Sequence, residues 1–279
     1  MRGAVAGRVQ LGLSYAFLVT LLLLVLFPFY WMLVTSFKTE DQMRSLVSMF
    51  WPSPFALENY VQLLRKTEFV SWYGNSVVVS VASTFVATAI GTLGAYALAR
   101  LRFLGRGFMA SATLITYLVP PSILFIPLYA QIRNLGLADS LTGLIVAYPS
   151  FTVPFVTWLL MGYFESIPEE LEEAAMIDGA TRFGAFWRVV LPLSAPGVLA
   201  AALYAFTQAW NEFLYALVFI TNVKLRTLPV GLSSFITGDV YGWGYLMAGA
   251  VLTTLPVIAA YIYLQKYMVE GLTAGSVKG

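Results

Sequence analysis

The sequence predicts an all-α membrane protein whose 279 residues (1–279) form one domain that crosses the bilayer six times. Three observations lead to this fold class. Hydrophobic residues make up 59% of the chain and charged residues only 11%, whereas soluble domains have roughly 45–50% and about 25%. Apolar stretches of about 20 residues, long enough to span a bilayer as a helix, recur along the whole chain. Unpaired backbone groups are costly in lipid, so each stretch is expected to be helical.

Six spans are predicted, separated by short polar connections. Their approximate bounds are 11–36, 72–99, 107–132, 141–164, 193–220 and 243–268. Pro120, Pro121 and Pro127 interrupt the third span, because proline lacks a backbone donor and clashes with the preceding turn. The first apolar stretch is too long for the hydrophobic region of a cleaved signal peptide, so we expect it to remain as a span.

The basic residues in the connections favour an orientation with both termini in the cytoplasm (N-in and C-in). In that orientation nine of the sixteen Lys and Arg residues lie on the cytoplasmic side and seven on the opposite side. The difference is small, but Arg100, Arg102 and Arg106 crowd the short second connection. The connection between spans 4 and 5, residues 166–190, then also faces the cytoplasm.

The composition excludes several classes of function. The chain has no cysteine and no histidine, which removes thiol chemistry, disulfides and the commonest metal ligand. We therefore predict no metal site and no catalytic residues. A net charge of +2 gives no reason to expect a nucleic-acid partner. The pattern G-x-x-x-x-G-K-[ST] is absent from the sequence, so we expect no nucleotide site and no bound cofactor in this chain.

The 166–190 loop is the most unusual segment, because six of the fourteen acids of the chain fall within it or next to it. Ser166 and Glu169 have the spacing of a capping box, which predicts the start of a short helix. Gly179 is expected to end that helix in a left-handed conformation, and Thr181 to cap a second short helix. The pattern favours a helix–turn–helix outside the membrane, and an ordinary solvated amphipathic loop is the alternative.

Within this loop, the run Glu173-Ala-Ala-Met-Ile-Asp-Gly-Ala180, followed by Leu191-Pro192, resembles the EAA loop of ABC importer permeases. The Asp178-Gly179-Ala180 ending resembles the carbohydrate subgroup of that family. Further segments are similar to the shorter, G-like subunit of maltose- and trehalose-type permeases: Trp210-Asn-Glu-Phe213, Thr227-Leu-Pro-Val-Gly-Leu232 and the tail from Gly271 to Gly279. The resemblance covers the chain from the first span to the last residue.

The resemblance implies that the 166–190 loop is a coupling helix that sits in a cleft of a cytoplasmic ATPase subunit. The residues implied in this coupling are Glu173, Ala174, Ala175, Ile177, Asp178, Gly179, Ala180, Leu191 and Pro192. The apolar residues of the loop would contact the cleft, and the acidic residues would line its rim. The C-terminal tail, residues 269–279, would reach the ATPase subunits through Gly275, Lys278 and Gly279.

The same resemblance implies the function and the partners. The chain would be one permease subunit, not an enzyme, of an ATP-driven importer for a di- or oligosaccharide of the trehalose or maltose type. Its partners would be a homologous second permease in a heterodimer, two ATP-binding cassette subunits that bind ATP and Mg, and an extracytoplasmic sugar-binding lipoprotein. The complex would lie in a bacterial or archaeal plasma membrane.

Polar side chains on the fifth span predict a surface along which a sugar would pass. Tyr204, Gln208, Asn211 and Tyr215 recur at spacings of four, three and four, so they are expected to share one helix face beside Glu212. Polar groups at membrane depth usually face an interior or a water-filled cavity. Aromatic rings can cover the apolar face of a sugar while amide and carboxylate groups bind its hydroxyls. Interhelical hydrogen bonding is the alternative role.

Other classes of membrane protein fit the sequence less well. A secondary transporter driven by an ion gradient often carries carboxylates within its core, whereas only Glu212 lies clearly inside a predicted span. An integral membrane enzyme would be expected to show a cluster of His, Asp or Glu at one membrane face. An ABC permease for a solute such as glycerol phosphate would favour Arg or Lys along the path, and spans 4 and 5 contain neither.

Overall fold

The computed structural model describes residues 2–45, 49–237 and 240–276, and helices dominate that part of the chain. The α-helices are α1 Arg2–Ser36, α2 Glu40–Arg44, α3 Glu58–Lys66, α4 Phe69–Arg100, α5 Arg106–Leu118, α6 Pro121–Asn134, α7 Leu141–Ala147, α8 Pro149–Ser166, α9 Glu169–Ile177, α10 Arg182–Ala185, α11 Leu191–Leu193, α12 Ala195–Asn211, α13 Leu214–Phe219, α14 Leu228–Ser233 and α15 Trp243–Ser276. A π-helical turn covers Phe186–Val190, a 3₁₀ turn covers Val223–Leu225, and strands β1 Ile236–Thr237 and β2 Val240–Tyr241 pair antiparallel.

Four helical segments of the described chain are long and apolar enough to cross a bilayer, and two bent pairs raise the number to six if each pair counts as one span. The four segments lie in α1, in α4, across α7 and α8, and in α15. Between α5 and α6 the chain bends by 101°, because Val119 is extended and the helix restarts at Pro121. This bend confirms the predicted interruption at Pro120 and Pro121. The interruption predicted at Pro127 is wrong, since α6 continues through that residue. The second bent pair joins Arg182–Leu193 to Ala195–Asn211 at 77°.

The predicted fifth span, 193–220, is not one continuous helix. Helix α12 ends at Asn211, Glu212 is extended, and the short helix α13 follows from Leu214. The prediction of unbroken helix through Ile220 was therefore wrong. The sixth predicted span differs in the opposite sense, since α15 continues to Ser276, beyond the predicted end at residue 268.

The chain divides into two compact units, and the first comprises Met1–Phe69 and Leu232–Thr254. In it, most described side chains of α1 are exposed. The segment after α1 is held to that helix by Asn59, whose side-chain amide donates to the carbonyl oxygens of Ser36 at 3.0 Å and Lys38 at 2.8 Å. These contacts give the end of α1 a polar framework that continues through α2 and α3.

The second unit comprises Val70–Gly231 and Leu255–Gly279, and it contains two apolar cores. Helix α8 packs against both α5 and α12. One core is built around the buried Tyr148, and the other includes Phe164 of α8 and Phe186 of the 166–190 loop. Helix α4 approaches α8 closely at Gly91, where an added Cβ would lie 2.4 Å from a side-chain carbon of Val156. The loop that carries most of the acids is thus packed onto the bundle through its aromatic residues.

A hydrogen-bonded loop contact at one end of the second unit depends on Asp139, and its pH dependence is testable. The carboxylate of Asp139 accepts the backbone N–H groups of Thr221 at 2.8 Å and Asn222 at 3.0 Å, and these bonds hold the pKa of Asp139 below its ordinary value. A lowered pKa means that the contact is fully formed above the ordinary pKa and is lost as the pH falls through the lowered value.

Replacing Asp139 with alanine is therefore expected to speed hydrogen exchange at the amides of Thr221 and Asn222 at neutral pH, and the original chain should show the same loss of protection only in acid. Exchange measured relative to the intrinsic rate checks this. The amide of Ile220, which donates to Ala216 O at 3.1 Å, is an internal control and should stay protected. Equal protection of Thr221 in both chains would contradict the prediction.

Candidate functional site

The 166–190 loop folds as the predicted helix–turn–helix, but its first cap differs from the prediction. Thr181 caps α10, because its hydroxyl accepts the N–H of Gly184 at 3.1 Å. Ser166 does not cap α9, so the predicted capping box was wrong. Ser166 is the last residue of α8, and its hydroxyl donates to the Tyr163 carbonyl at 2.7 Å. Helix α9 instead begins after Pro168, which offers no side-chain acceptor.

The turn after α9 depends on a glycine, as predicted. Gly179 has a φ of +92°, which lies in the left-handed region that favours glycine. The N–H of Ala180 donates to the carbonyl of Ala175 at 3.0 Å, and this bond closes the end of the helix. An added Cβ at Gly179 would meet no heavy atom within 4 Å, so the turn faces open space. The glycine is therefore required by backbone conformation and not by packing within this chain.

The apolar residues of the loop that were predicted to contact a partner are exposed. Leu171 is 45% exposed and Ile177 is 85% exposed, and Ala174 is also exposed. Two aromatic residues that were not predicted as contacts, Phe183 at 61% and Trp187 at 52%, are also exposed. The spacing of four between Phe183 and Trp187 could have indicated that they share a helix face.

The exposed surface of the loop also carries most of its acids. After α10 the backbone does not leave the helical conformation at once. Glu173 and Asp178 are exposed, and Ala175 and Ala180 are half-buried. The helical backbone continues through the π-helical turn into α11, where Leu191 is half-buried and Pro192 is exposed. Pro192 occupies the first turn of α11, a position where its missing N–H is tolerated.

Glu172 is the exception among the acids of α9, because it is only 4% exposed. The Tyr96 hydroxyl of α4 donates to its carboxylate, and the Arg100 guanidinium lies 3.5 Å from it. Arg100 is itself 8% exposed, and it donates to the carbonyl of Ile167. Glu172 thus ties α9 to α4. Sequence reasoning assigned Glu172 no role, since its charge alone does not distinguish it from its neighbours.

Three polar residues of α12 form the surface that was predicted for a sugar path. Tyr204 is half-buried, whereas Gln208 and Asn211 are exposed. The Gln208 amide donates to the Tyr204 hydroxyl at 3.1 Å, and the Asn211 amide donates to the Thr207 carbonyl at 2.9 Å. These side chains therefore lie on one helical face and keep hydrogen-bonding capacity toward the outside of the chain.

An aromatic cluster that the sequence did not indicate adjoins this face. Phe155 of α8 lies with its ring centroid 3.9 Å from that of Tyr204, and the rings of Tyr117 and Trp158 lie 5.1 and 5.9 Å from Phe155. Tyr117 is 38% exposed and Trp158 is 41% exposed. The rings come from α5, α8 and α12, so only the spacing of three between Phe155 and Trp158 was visible in the sequence.

Tyr215, which was predicted to continue this face, does not do so, and Glu212, which was predicted to lie beside the face, binds groups of the chain itself. Tyr215 is 1% exposed and lies beyond the end of α12, where its hydroxyl donates to the Pro121 carbonyl at 2.9 Å. The Glu212 carboxylate accepts the Tyr148 hydroxyl at 2.9 Å and the N–H groups of Tyr215 and Ala216 at 2.8 and 3.0 Å. The prediction of one shared face was wrong for Tyr215, because the helix breaks before it.

Two of the three tail residues predicted to contact the ATPase lie outside the described part of the chain. Gly275 lies in the last turn of α15. Lys278 and Gly279 lie outside the described residues.

These features describe a membrane protein with several candidate spans and an exposed helix–turn–helix that is anchored to the helix bundle. They are typical of a membrane transport subunit. Residues 87–273 match the family described as "Binding-protein-dependent transport system inner membrane component". The chain belongs to this family. It is a permease subunit of an ABC transporter in the inner membrane and not an enzyme, as its resemblance to ABC importer permeases predicted.

Curated relatives align over almost the whole chain. One is the sulfoquinovosyl glycerol transport system permease protein SmoH of Agrobacterium fabrum, 40% identical over 96% of this chain and 95% of its own length. Another is the trehalose/maltose transport system permease protein MalG of Thermococcus litoralis, 37% identical over 92% of this chain and 93% of its own length.

The fold is similar to that of a solved transporter. A chain in the crystal structure of a bacterial ABC transporter involved in the import of the acidic polysaccharide alginate superimposes with a TM-score of 0.80 at 24% identity. The match covers 94% of this chain and 97% of that chain. This similarity confirms the permease fold.

Proposed function

We propose that the chain is one half of the translocation path of an ATP-driven sugar importer, and that its substrate is a di- or oligosaccharide of the trehalose or maltose type. The observation that carries the proposal is the 166–190 loop, which exposes an apolar surface while Glu172 fixes it to the bundle. The relatives named for trehalose, maltose and sulfoquinovosyl glycerol support a carbohydrate substrate.

The proposed cycle follows from the partners of such a subunit. An extracytoplasmic lipoprotein delivers the sugar to this chain and a homologous second permease. Two ATPase subunits, which bind ATP and Mg, close on each other at the cytoplasmic side. The 166–190 loop relays that closure, the bundle changes from inward-facing to outward-facing, and the sugar enters between the two permeases. Hydrolysis then resets the complex. In this arrangement both termini of the chain lie in the cytoplasm.

The contact with the ATPase is proposed to be the exposed side of α9 and the turn after it. Ile177 and Ala174 would enter an apolar cleft, since apolar side chains gain most from losing contact with water. Glu173 and Asp178 are exposed beside them and would meet basic groups at the rim. Gly275, Lys278 and Gly279 of the tail remain predicted contacts of the same subunits.

The sugar path is proposed to be lined by Tyr204, Gln208 and Asn211, with the neighbouring aromatic cluster as a platform for sugar rings. Glu212 and Tyr215 are proposed to stabilise the end of α12 instead of contacting the sugar, because both are engaged with other parts of the chain. Replacing Asn211 with alanine is expected to raise the KM of uptake roughly tenfold, the effect of losing about one hydrogen bond.

Uptake of radiolabelled sugar into proteoliposomes would measure the effect of Asn211→Ala. Asn134→Ala is the matched control, since Asn134 is an exposed asparagine at the end of α6 and should leave the KM unchanged. Stability and ATPase binding should be the same for both variants. An unchanged KM for Asn211→Ala would remove this residue from the proposed path.

The function as a whole is tested by purifying the chain with its second permease, ATPase subunits and binding protein. Trehalose, maltose and related oligosaccharides are expected to stimulate ATP hydrolysis, and glycerol phosphate is not. Stimulation by glycerol phosphate alone would change the substrate class. Uptake that continues without ATP and stops when an ion gradient is collapsed would contradict the proposal.

A further inference from the structure

The connection between α9 and α4 suggests which membrane helix the loop drives. Helix α9 carries four glutamates, and three of them are exposed. The fourth, Glu172, enters the protein and meets two α4 residues that are four positions apart on one helix face, Tyr96 and Arg100. The carboxylate therefore accepts a hydrogen bond from Tyr96 and forms an ion pair with Arg100, both from a single helix end.

Tyr96 and Arg100 also hold the segments on either side of α9. The Tyr96 ring packs against Phe186 of the π-helical turn, with centroids 4.6 Å apart, and against Phe164 of α8, with centroids 6.3 Å apart. Arg100 donates to the carbonyl of Ile167, the residue that follows α8. The end of α4 is thus the common partner of α8, α9 and the second half of the loop.

The covalent connections of α9 are poorly suited to carry force by themselves. At its start, Ile167 is extended and Pro168 follows, and at its end the chain turns through Gly179 at a φ of +92°. Rotation about a left-handed glycine lets the end of a helix pivot. A buried carboxylate held by a hydrogen bond and an ion pair resists that pivoting, because separating a buried charge from its partner is strongly unfavourable.

We propose that Glu172 is a positioning residue that makes α9 and the end of α4 move as one rigid body, so that α4 is the membrane helix that the loop drives. This inference rests on the proposed coupling function. Glu169 also lies 3.5 Å from Arg100, but its side chain is 59% exposed. Exposed ion pairs contribute little, so Glu169 does not share this role.

The test measures whether α9 and α4 keep a fixed distance during the ATPase cycle. The chain contains no cysteine, so Leu93→Cys on α4 and Glu170→Cys on α9 allow two spin labels at exposed positions. The complex with the second permease and the ATPase subunits is reconstituted in nanodiscs. Pulsed electron paramagnetic resonance then compares the nucleotide-free state with the state trapped by MgATP and vanadate.

The distance between the labels is expected to be the same in both states for the doubly labelled chain and for the matched control Glu169→Gln. Glu172→Gln should instead lengthen or broaden the distance distribution upon trapping, while the ATPase subunits remain bound. A Glu172→Gln complex that keeps one distance in both states would overturn the inference, and so would a shift in the chain that retains Glu172.

A second variant covers the case in which Glu172→Gln does not fold. Tyr96→Phe keeps the ring contacts with Phe164 and Phe186 and removes only the hydroxyl donor, so it should give a smaller shift in the same direction. The absence of any shift with a folded Tyr96→Phe chain would then overturn the inference. Failure of the ATPase subunits to copurify with the original chain would contradict the proposed function itself, and it would be seen before any distance is measured.

Discussion

Replacing Gly179 with valine is expected to abolish uptake and to leave the chain inserted and folded. The residue has a φ of +92°, where a side chain costs roughly 1–2 kcal/mol. This cost is small enough to be tolerated, because an added Cβ meets no atom of the chain within 4 Å. The valine side chain would instead project from the surface that is proposed to enter the ATPase cleft. Uptake, membrane content and copurification of the ATPase should be measured together.

The matched control for this prediction is Gly136→Val. Gly136 also has a left-handed conformation, with a φ of +72°, and open space around it, but it lies in the connection between α6 and α7. The two variants should therefore lose similar thermal stability, and only Gly179→Val should lose transport. Normal uptake by Gly179→Val would count against the coupling role, and equal loss by both variants would indicate that backbone strain alone is responsible.

Replacing Glu212 with alanine is expected to lower the free energy of unfolding by about 3 kcal/mol, because a buried hydroxyl and two N–H groups lose their acceptor. The groups are the Tyr148 hydroxyl, whose residue is fully buried, and the backbone amides of Tyr215 and Ala216. The two amide bonds are the side-chain cap of α13, and a helix cap of this kind contributes about 1 kcal/mol of the total. Thermal unfolding in nanodiscs, followed by tryptophan fluorescence, checks this.

Two variants separate this supporting role from contact with a sugar. Glu212→Gln keeps an oxygen acceptor and should lose much less stability than Glu212→Ala. Tyr148→Phe removes the hydroxyl that donates to Glu212. Glu212→Ala should therefore lower the free energy of unfolding less in a Tyr148→Phe chain than in the original chain. If Glu212→Ala raised the KM of uptake without changing stability, Glu212 would be a substrate residue, as the sequence suggested, and its supporting role would be refuted.

The features that the sequence predicted well depend on neighbouring residues. Gly179 ends α9 and Thr181 caps α10, because left-handed turns and helix caps are set by a few adjacent positions. The break at Pro120 and Pro121 was predictable for the same reason, since proline interrupts the helix in which it lies. Length and apolarity likewise located four candidate spans, although they did not determine whether each of the two bent pairs forms one span.

The features that the sequence did not predict depend on residues that are distant along the chain. Glu172 is distinguished from its neighbours only by Tyr96, 76 positions earlier. The break after Asn211 contains neither glycine nor proline, and it is stabilised by Tyr148, 64 positions before Glu212. No pattern of spacing or composition reports such tertiary partners.

The exposure of α1 has a consequence for biogenesis. Most described side chains of this helix make few contacts with the rest of the chain, so its place in the bilayer depends on its own transfer into lipid. The nascent chain can thus commit its first segment at the translocon before any later segment has been synthesised. Helix α12, whose Gln208 and Asn211 side chains are polar and exposed, lacks that independence, and its insertion should depend on packing against α8.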